Sequence, residues 1–460
     1  MSAVLVTATI IKILVIIGFV FNVAALLTWV DRRQSSMIQD RIGPNRAVLK
    51  IGKIELRVAG LLHTAADGVK FFFKEDFVPP NADKLLFSLA PILAMMPVLA
   101  LLAVVPFGDT LCTHDLVQHA KDGASFWPSV PRLGVCGTDV KSGAYAIDMM
   151  VAPLNVGLLY VFALAGQGIV GAAIAGWASD NKFSMMGALR AASQMVSYEV
   201  ALGVSIVGAI MITGSIRLDE MVRWQGEHAW GIFVQPAAFF LFFTAAVAEN
   251  KRIPFDLPEA ESELVSGYFT EYSGMKFGMF YFAEYMEVCT SSMLLVTIFL
   301  GGWQLPFLHR DGLTISFGDT QLVKVLLAHW AVELIGVLTF FGKTLAVCCF
   351  QAFVRWSLPR FRYDQLMKLG WKVLLPLALT NIFATGIIYL AIDKGGPAVT
   401  HFASVLADVS QALLAALITA GVIAFVVGFV RPREHRYSLA GTAAKFAHAL
   451  GGSKETPMQA

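Results

Sequence analysis

Between Ala248 and Tyr272 the chain reads AENKRIPFDLPEAESELVSGYFTEY, which gathers Glu249, Asp256, Glu259, Glu261, Glu263 and Glu271 into one turn-rich segment. Crowded carboxylates raise one another's pKa and titrate as coupled groups, so a neutral acid persists near neutral pH and exchanges its proton with a neighbour. That is what a proton relay needs. The ionisable residues continue into apolar runs, with Glu199 in one, Glu284 and Glu287 in the next, and Glu333 and Lys343 in a third. Ionisable groups inside such runs are costly and mark proton or ion pathways. Plainer readings stand beside this one. Pro254 and Pro258 break the chain, Pro258 suits the first position of a helix, and Glu259 and Glu261 complement the positive end of its dipole. Acids within spans also form interhelical hydrogen bonds that only hold a bundle together. Glu259 and Glu263, at i and i+4, share a helix face, and Glu261 points elsewhere.

The elements that must position these acids are membrane spans. Of 460 residues, 57% are hydrophobic and 15% charged, and the mean hydropathy is +0.66, far outside the balance of a soluble domain. A net charge of +2 and the lack of a basic stripe interleaved with aromatics exclude a nucleic-acid partner. Apolar windows long enough to cross the hydrocarbon recur near 4–30, 85–106, 149–177, 193–214, 232–249, 279–301, 322–350, 371–392 and 405–430, about nine helical spans. Long unbroken runs exclude a barrel. Lys and Arg concentrate in alternate loops, among them Arg41 and Arg46 in the first and Arg355, Arg360 and Arg362 in the seventh, so the N-terminus is expected outside and the C-terminus in the cytoplasm. The first run is longer than a signal-peptide core and has no basic residue before it, so it reads as a retained span.

Three segments do not cross. Apolar residues at helical spacing among charges between Leu49 and Phe73 predict an amphipathic helix along the interface. The polar segment 107–148 reads as a fold over the outer face, where Cys112 and Cys136 are candidates for a disulfide. The tail 431–460 reads as a cytoplasmic extension. A G-x-G-x-x-G match at Gly166, Gly168 and Gly171 lies inside a span with no strand before it, so it reads as helix packing. Five cysteines without a C-x-x-C give no signal for an iron-sulfur cluster or a structural zinc, and no metal site is expected. Scattered histidines supply no nucleophile and base, so no catalytic centre is expected.

The acidic stretch resembles the signature of the quinone-tunnel membrane subunit of respiratory complex I, the H subunit of bacterial NADH:quinone oxidoreductase. MIQDRIGPNRA at 37–47, LRAASQMVSYE at 189–199 and VRWSLPRFRYDQLMKLGWKVLLP at 354–376 resemble its first, third and last loops in the same order. The resemblance implies an all-α polytopic fold of eight core helices, here about nine with an extra C-terminal one. The expected layout is a core over 1–392 with the outer insertion at 107–148, an extra span at 393–430, and the tail. It also implies a chamber through which a lipid quinone, ubiquinone or menaquinone, reaches the terminal iron-sulfur cluster of a peripheral-arm subunit, with small membrane-arm subunits alongside and no covalently bound cofactor. By motif position it places Asp31, Arg41, Arg46, Asp67, Arg190, Asp256, Glu259, Glu261, Glu263 and Glu271 around the chamber and its coupling loop, and Glu199, Glu249 and Glu284 on a proton path, in a bacterial inner membrane. This chain departs from the family in Asp31, where Glu is usual, and in Lys251, where a neutral residue is more common. The alternatives are the membrane anchor of an energy-converting hydrogenase or related dehydrogenase, and a stand-alone ion transporter, for which inverted repeats are missing.

Overall fold

The computed structural model describes residues 3–112 and 146–394, apart from 45, 52, 53, 57, 259, 260, 307, 310, 311, 318, 319, 327 and 328, and beyond them only 409, 412, 413, 416 and 420. Residues 1–411 form one compact unit and 412–460 a second. Seven helices among the described residues are long and apolar enough to cross a membrane, and the shorter apolar Pro236–Glu249 joins them. The chain is an all-α polytopic membrane protein, and eight of the nine expected spans occur as helices. The ninth, 405–430, lies outside the described residues but for isolated positions.

The helices are α1 (Ala3–Ile38), α2 (Leu62–Phe73), α3 (Lys84–Leu101), α4 (Gly157–Ala165), α5 (Gln167–Ala178), α6 (Lys182–Thr213), α7 (Leu218–Glu227), α8 (Gly231–Val234), α9 (Pro236–Glu249), α10 (Glu261–Leu264), α11 (Gly274–Phe299), α12 (His329–Ser357), α13 (Tyr363–Lys368) and α14 (Leu375–Lys394). A π-helical stretch, Leu369–Leu374, joins the last two into one span. α1 runs past the expected end at Val30, because nothing before Gly43 and Pro44 breaks it. Asp83 caps α3 by accepting from the Leu85 and Leu86 amides at 3.0 and 3.2 Å, and Gly214, at φ +68°, ends α6 in the left-handed conformation that glycine adopts without strain. The glycine seam is a packing surface, as expected: a Cβ on Gly171 would lie 2.7 Å from the Ala94 backbone nitrogen of α3.

Three further segments differ in kind, with other structure where helix was expected, whereas α6 only starts earlier, at Lys182 rather than 193. The interfacial helix occupies only Leu62–Phe73. Before it, Leu49–Ile51 (β1) and Ile54–Leu56 (β2) pair antiparallel, with Lys50 opposite Glu55; apolar residues alternate with these two charges, a period that suits a strand. The third span becomes helical only at Gly157. Residues 149–156 include Pro153, which disfavours helix in the residue before it, and they are held instead by Phe107 N–H on the Met149 carbonyl (3.0 Å) and Ala152 N–H on the Ala103 carbonyl (2.7 Å). Thr110–Cys112 (β3) and Ala146–Asp148 (β4) pair beside them. The seventh span starts at His329 rather than 322, because Leu308–His309 (β5), Gly312–Phe317 (β6) and Thr320–Leu326 (β7) form a small antiparallel sheet. Residues 113–145, and with them the Cys112–Cys136 pairing, lie outside the described residues.

The loops fall at two ends of the bundle. At one, called here the loop end, lie the last turns of α1, the α5–α6 turn, residues 250–273 and 358–362. The far end carries β3 to β7, α7 and α8. The core between them is built from α1, α6, α9, α11 and α12, with Val20, Ala24, Ile206, Phe242, Met286 and Met293 fully buried.

Candidate functional site

α9 ends at Glu249, and the chain leaves it through a turn clamped from two sides. Gln194 of α6 donates to the carbonyls of Ala248 and Phe255, both at 2.7 Å. Asn250 donates to Ser291 of α11 (2.8 Å) and Gln351 of α12 (3.3 Å). These amides fix the loop on three helices and so place its charges.

Each buried charge then meets an opposite one. Lys251, 4% exposed, lies 3.3 Å from Glu287. Arg252 lies 3.4 Å from Glu284 and stacks 4.2 Å over the Tyr285 ring. Glu284 also accepts from the Tyr268 hydroxyl at 3.2 Å. Asp31, at the base of α1, accepts from Tyr285 (2.7 Å) and from Arg355 of α12 (2.5 Å). Asp256, 4% exposed, takes Arg360 at 2.9 Å. Burying a charge costs several kcal/mol unless it is paired, so these pairings are what permit the cluster. Burial pushes the Asp256 carboxyl up, and Arg360 draws it back only in part. Burial alone would lower the Lys251 ammonium, but Glu287 and Glu284 overcome this and hold it above its ordinary value.

Two cavities follow the charges. One of about 20 Å³ is bounded by Asp31, Arg252, Tyr285 and Arg355. The second, about 60 Å³, begins at Glu249, Asn250 and Glu287 and reaches Leu294 along α11. It has room for a few waters and none for a quinone ring. Glu249 is within electrostatic reach of Glu287 and Glu199, and the Glu199 carboxylate stands over Gly166, where a Cβ would lie 3.0 Å from it. The arrangement is a file of carboxylates, Asp31 and Asp256 at the loop end and Glu284, Glu287, Glu249 and Glu199 deeper, with cations placed between.

The remaining candidates lie elsewhere. Glu263, with its side chain 60% exposed, pairs with Arg190 at 2.7 Å. Glu271 accepts from Asn181 at 2.6 Å, beside an open groove at the α5–α6 turn. Asp67 pairs with Arg32 and, at 3.3 Å, with Lys70. Arg41 is exposed and donates to Gln39 (2.6 Å), and Arg46 is exposed with its amide on His63 (3.1 Å). Glu259 lies outside the described residues, and Glu261 is described only as the first residue of α10. Lys251, Arg252, Arg355, Arg360 and Tyr285 were not among the candidate site residues, and Glu287 stood only as an in-span acid without a role by motif. Their signal was present in the excess of in-span acids over in-span bases, which requires cations from the loops. Among the described residues no group of three or more His, Cys, Asp or Glu is placed to hold a metal ion.

Fold and site together define a class: a polytopic membrane protein that buries a file of paired carboxylates between its spans. A family model described as NADH dehydrogenase matches residues 11–386, and the chain belongs to that family. It is similar to an H subunit of NADH-quinone oxidoreductase from Cytophaga hutchinsonii, 41% identical over 376 residues that cover 81% of this chain and 95% of that protein. The H subunit of the Flavobacterium psychrophilum enzyme is 41% identical over 388 residues, 84% of this chain and 98% of that protein. An H subunit from Geobacter metallireducens is 40% identical over 381 residues, 83% and 95%.

Proposed function

We propose that this chain is a membrane-arm subunit of a proton-pumping NADH:quinone oxidoreductase, lying in a bacterial inner membrane with its loop end in the cytoplasm and its N-terminus outside. It carries no redox group of its own. The enzyme is the assembly, in which peripheral-arm subunits, one with the terminal iron-sulfur cluster, dock on the loop end and small membrane subunits pack alongside. Lipid quinone is the substrate. Asp31, Arg41, Arg46, Asp67, Arg190 and the acids Asp256, Glu259, Glu261, Glu263 and Glu271 shape the quinone chamber and its coupling loop; Glu284, Glu249 and Glu199 carry charge onward into the membrane. The segment 393–430 adds a span to the eight-helix core, ahead of a cytoplasmic tail.

The carrying observation is the file from Asp256 through Glu284 and Glu287 to Glu249, in which neighbouring carboxylates act electrostatically on one another, so that a change of charge at one is felt by the next. Asp31 joins it through Tyr285 and Arg252. The relatives' names speak of quinone oxidoreductases, which favours this reading over a hydrogenase anchor or a free-standing carrier. Glu249→Gln keeps the shape and removes the titration. In the native complex we expect assembly and electron transfer from NADH to a soluble acceptor to survive, while quinone reduction and proton pumping fall together, by about tenfold or more, the scale of a lost proton-transfer group. Wild-type pumping in vesicles by this variant would sink the reading.

A further inference from the structure

Lys343 lies in the apolar run of α12 and takes no part in the pairs above. Its Nζ donates to three backbone carbonyls that follow α11: Leu300 at 2.8 Å, Gly302 at 3.0 Å and Gln304 at 2.6 Å. It also stands 3.9 Å from the centroid of the Trp230 ring. A neutral amine has two N–H donors, whereas an ammonium has three, so three acceptors at these distances specify the charged form. The aromatic face and the negative end of the α11 dipole favour the same form. The cage is built for this. Gly301 and Gly302, at φ +70° and +50°, turn the chain back so that its carbonyls converge, and a Cβ on Gly301 would lie 2.6 Å from the Trp230 indole nitrogen.

The position of this cage gives it a consequence. Leu294 is the last residue of α11 that lines the cavity holding Glu249 and Glu287. Leu300 is six residues further along the same chain, about 9 Å at the helical rise. Around it the far end is closed by Gln225, which donates to the Thr297 carbonyl (2.9 Å) and accepts from the amides of Gly231 (2.9 Å) and Gly301 (3.0 Å). A proton moving outward from Glu287 along α11 therefore faces a fixed cation before it reaches the far surface.

We propose that Lys343 is an electrostatic stopper: its ammonium, locked in the carbonyl cage, bars protons from crossing the far half of the subunit. Fixed positive charge excludes protons from membrane pores in the same manner. The proposal rests on the reading that the carboxylate file carries protons, in that the file is taken as the route that delivers them to Lys343; a leak by another route would meet the same cation.

The test is passive proton conductance of the native complex in sealed vesicles, under an imposed potassium diffusion potential and without NADH. Lys343→Gln keeps two N–H donors for the cage and removes the charge. Lys343→Met, of similar volume, is a second neutral probe, and Lys343→Arg keeps the charge. Both neutral variants are expected to leak about twentyfold more than wild type, the factor a unit charge about 9 Å away commands at an effective dielectric of about 20. Lys343→Arg is expected to stay tight, and quinone reduction per assembled complex to be unchanged in all three. Tight vesicles with an assembled neutral variant, or an equal leak with Lys343→Arg, overturn the stopper. Adding Glu249→Gln to Lys343→Gln separates the two readings. If the leak stops, it ran through the file; if it persists, the stopper stands and the file is overturned.

Discussion

The two ends of the bundle hold the lysines of their spans and turns by different means, although α7 at the far end also pairs Arg217 with the buried Asp219 at 3.2 Å. At the loop end, side chain answers side chain: Asp31 with Arg355, Asp256 with Arg360, Glu287 with Lys251. At the far end, lysines inside spans are held by backbone. Lys343 takes the carbonyls after α11, and Lys12 of α1 those of Asp148 and Met150 at 3.0 and 2.9 Å. A carboxylate partner can change its charge, whereas a peptide carbonyl cannot. The loop-end pairs are thus able to respond to a proton, and the two lysine cages at the far end are built to stay as they are.

The largest expected effect comes from breaking a pair at the loop end. Arg355→Ala leaves Asp31 buried with only the Tyr285 hydroxyl, and removing one partner of a buried pair costs about 3–5 kcal/mol. The subunit should be depleted from membranes, as read by immunoblot against the other subunits; normal abundance would show that the pairing is dispensable for folding. A smaller effect is expected at the far end. Gln225→Leu orphans the amides of Gly231 and Gly301, at about 1–3 kcal/mol each, so the complex should melt earlier while quinone reduction per surviving complex stays unchanged. Slower turnover in surviving complexes would erase the division between the ends. The smallest effect belongs to Glu263→Gln. The Arg190–Glu263 pair is exposed, and such pairs are worth less than about 1 kcal/mol. Thermal stability should not move measurably, which makes this the cleanest probe of the coupling loop: slowed quinone reduction would then be chemical in origin, and wild-type turnover would reduce Glu263 to a surface charge.

How far these features were legible in the sequence follows from the range of each signal. Run length is local, so α1, α3, α6 and α11 were visible as spans, and the stretch from Ala248 to Tyr272 announced itself by composition. Pairing is not local. Asp31 and Arg355 are 324 positions apart, and no periodicity connects them; Arg355 and Arg360 were legible only as loop charges that set orientation. The far end misled for a different reason. Residues 149–156 and 320–326 are apolar enough to pass for the starts of spans, but hydropathy does not distinguish a helix from extended chain whose amides find partners on neighbouring segments. Lys343 was visible as an in-span charge, and its carbonyl cage was not, because backbone acceptors leave no mark in a sequence.

Gln194 ties the carbonyls on either side of the 249–254 turn to α6, and the same helix carries Glu199 little more than one turn further on and Arg190 about one turn before. The turn therefore cannot slide past α6 without surrendering both bonds. Displacement of the turn and displacement of Glu199 become a single mechanical event, with α6 as the rigid rod between them.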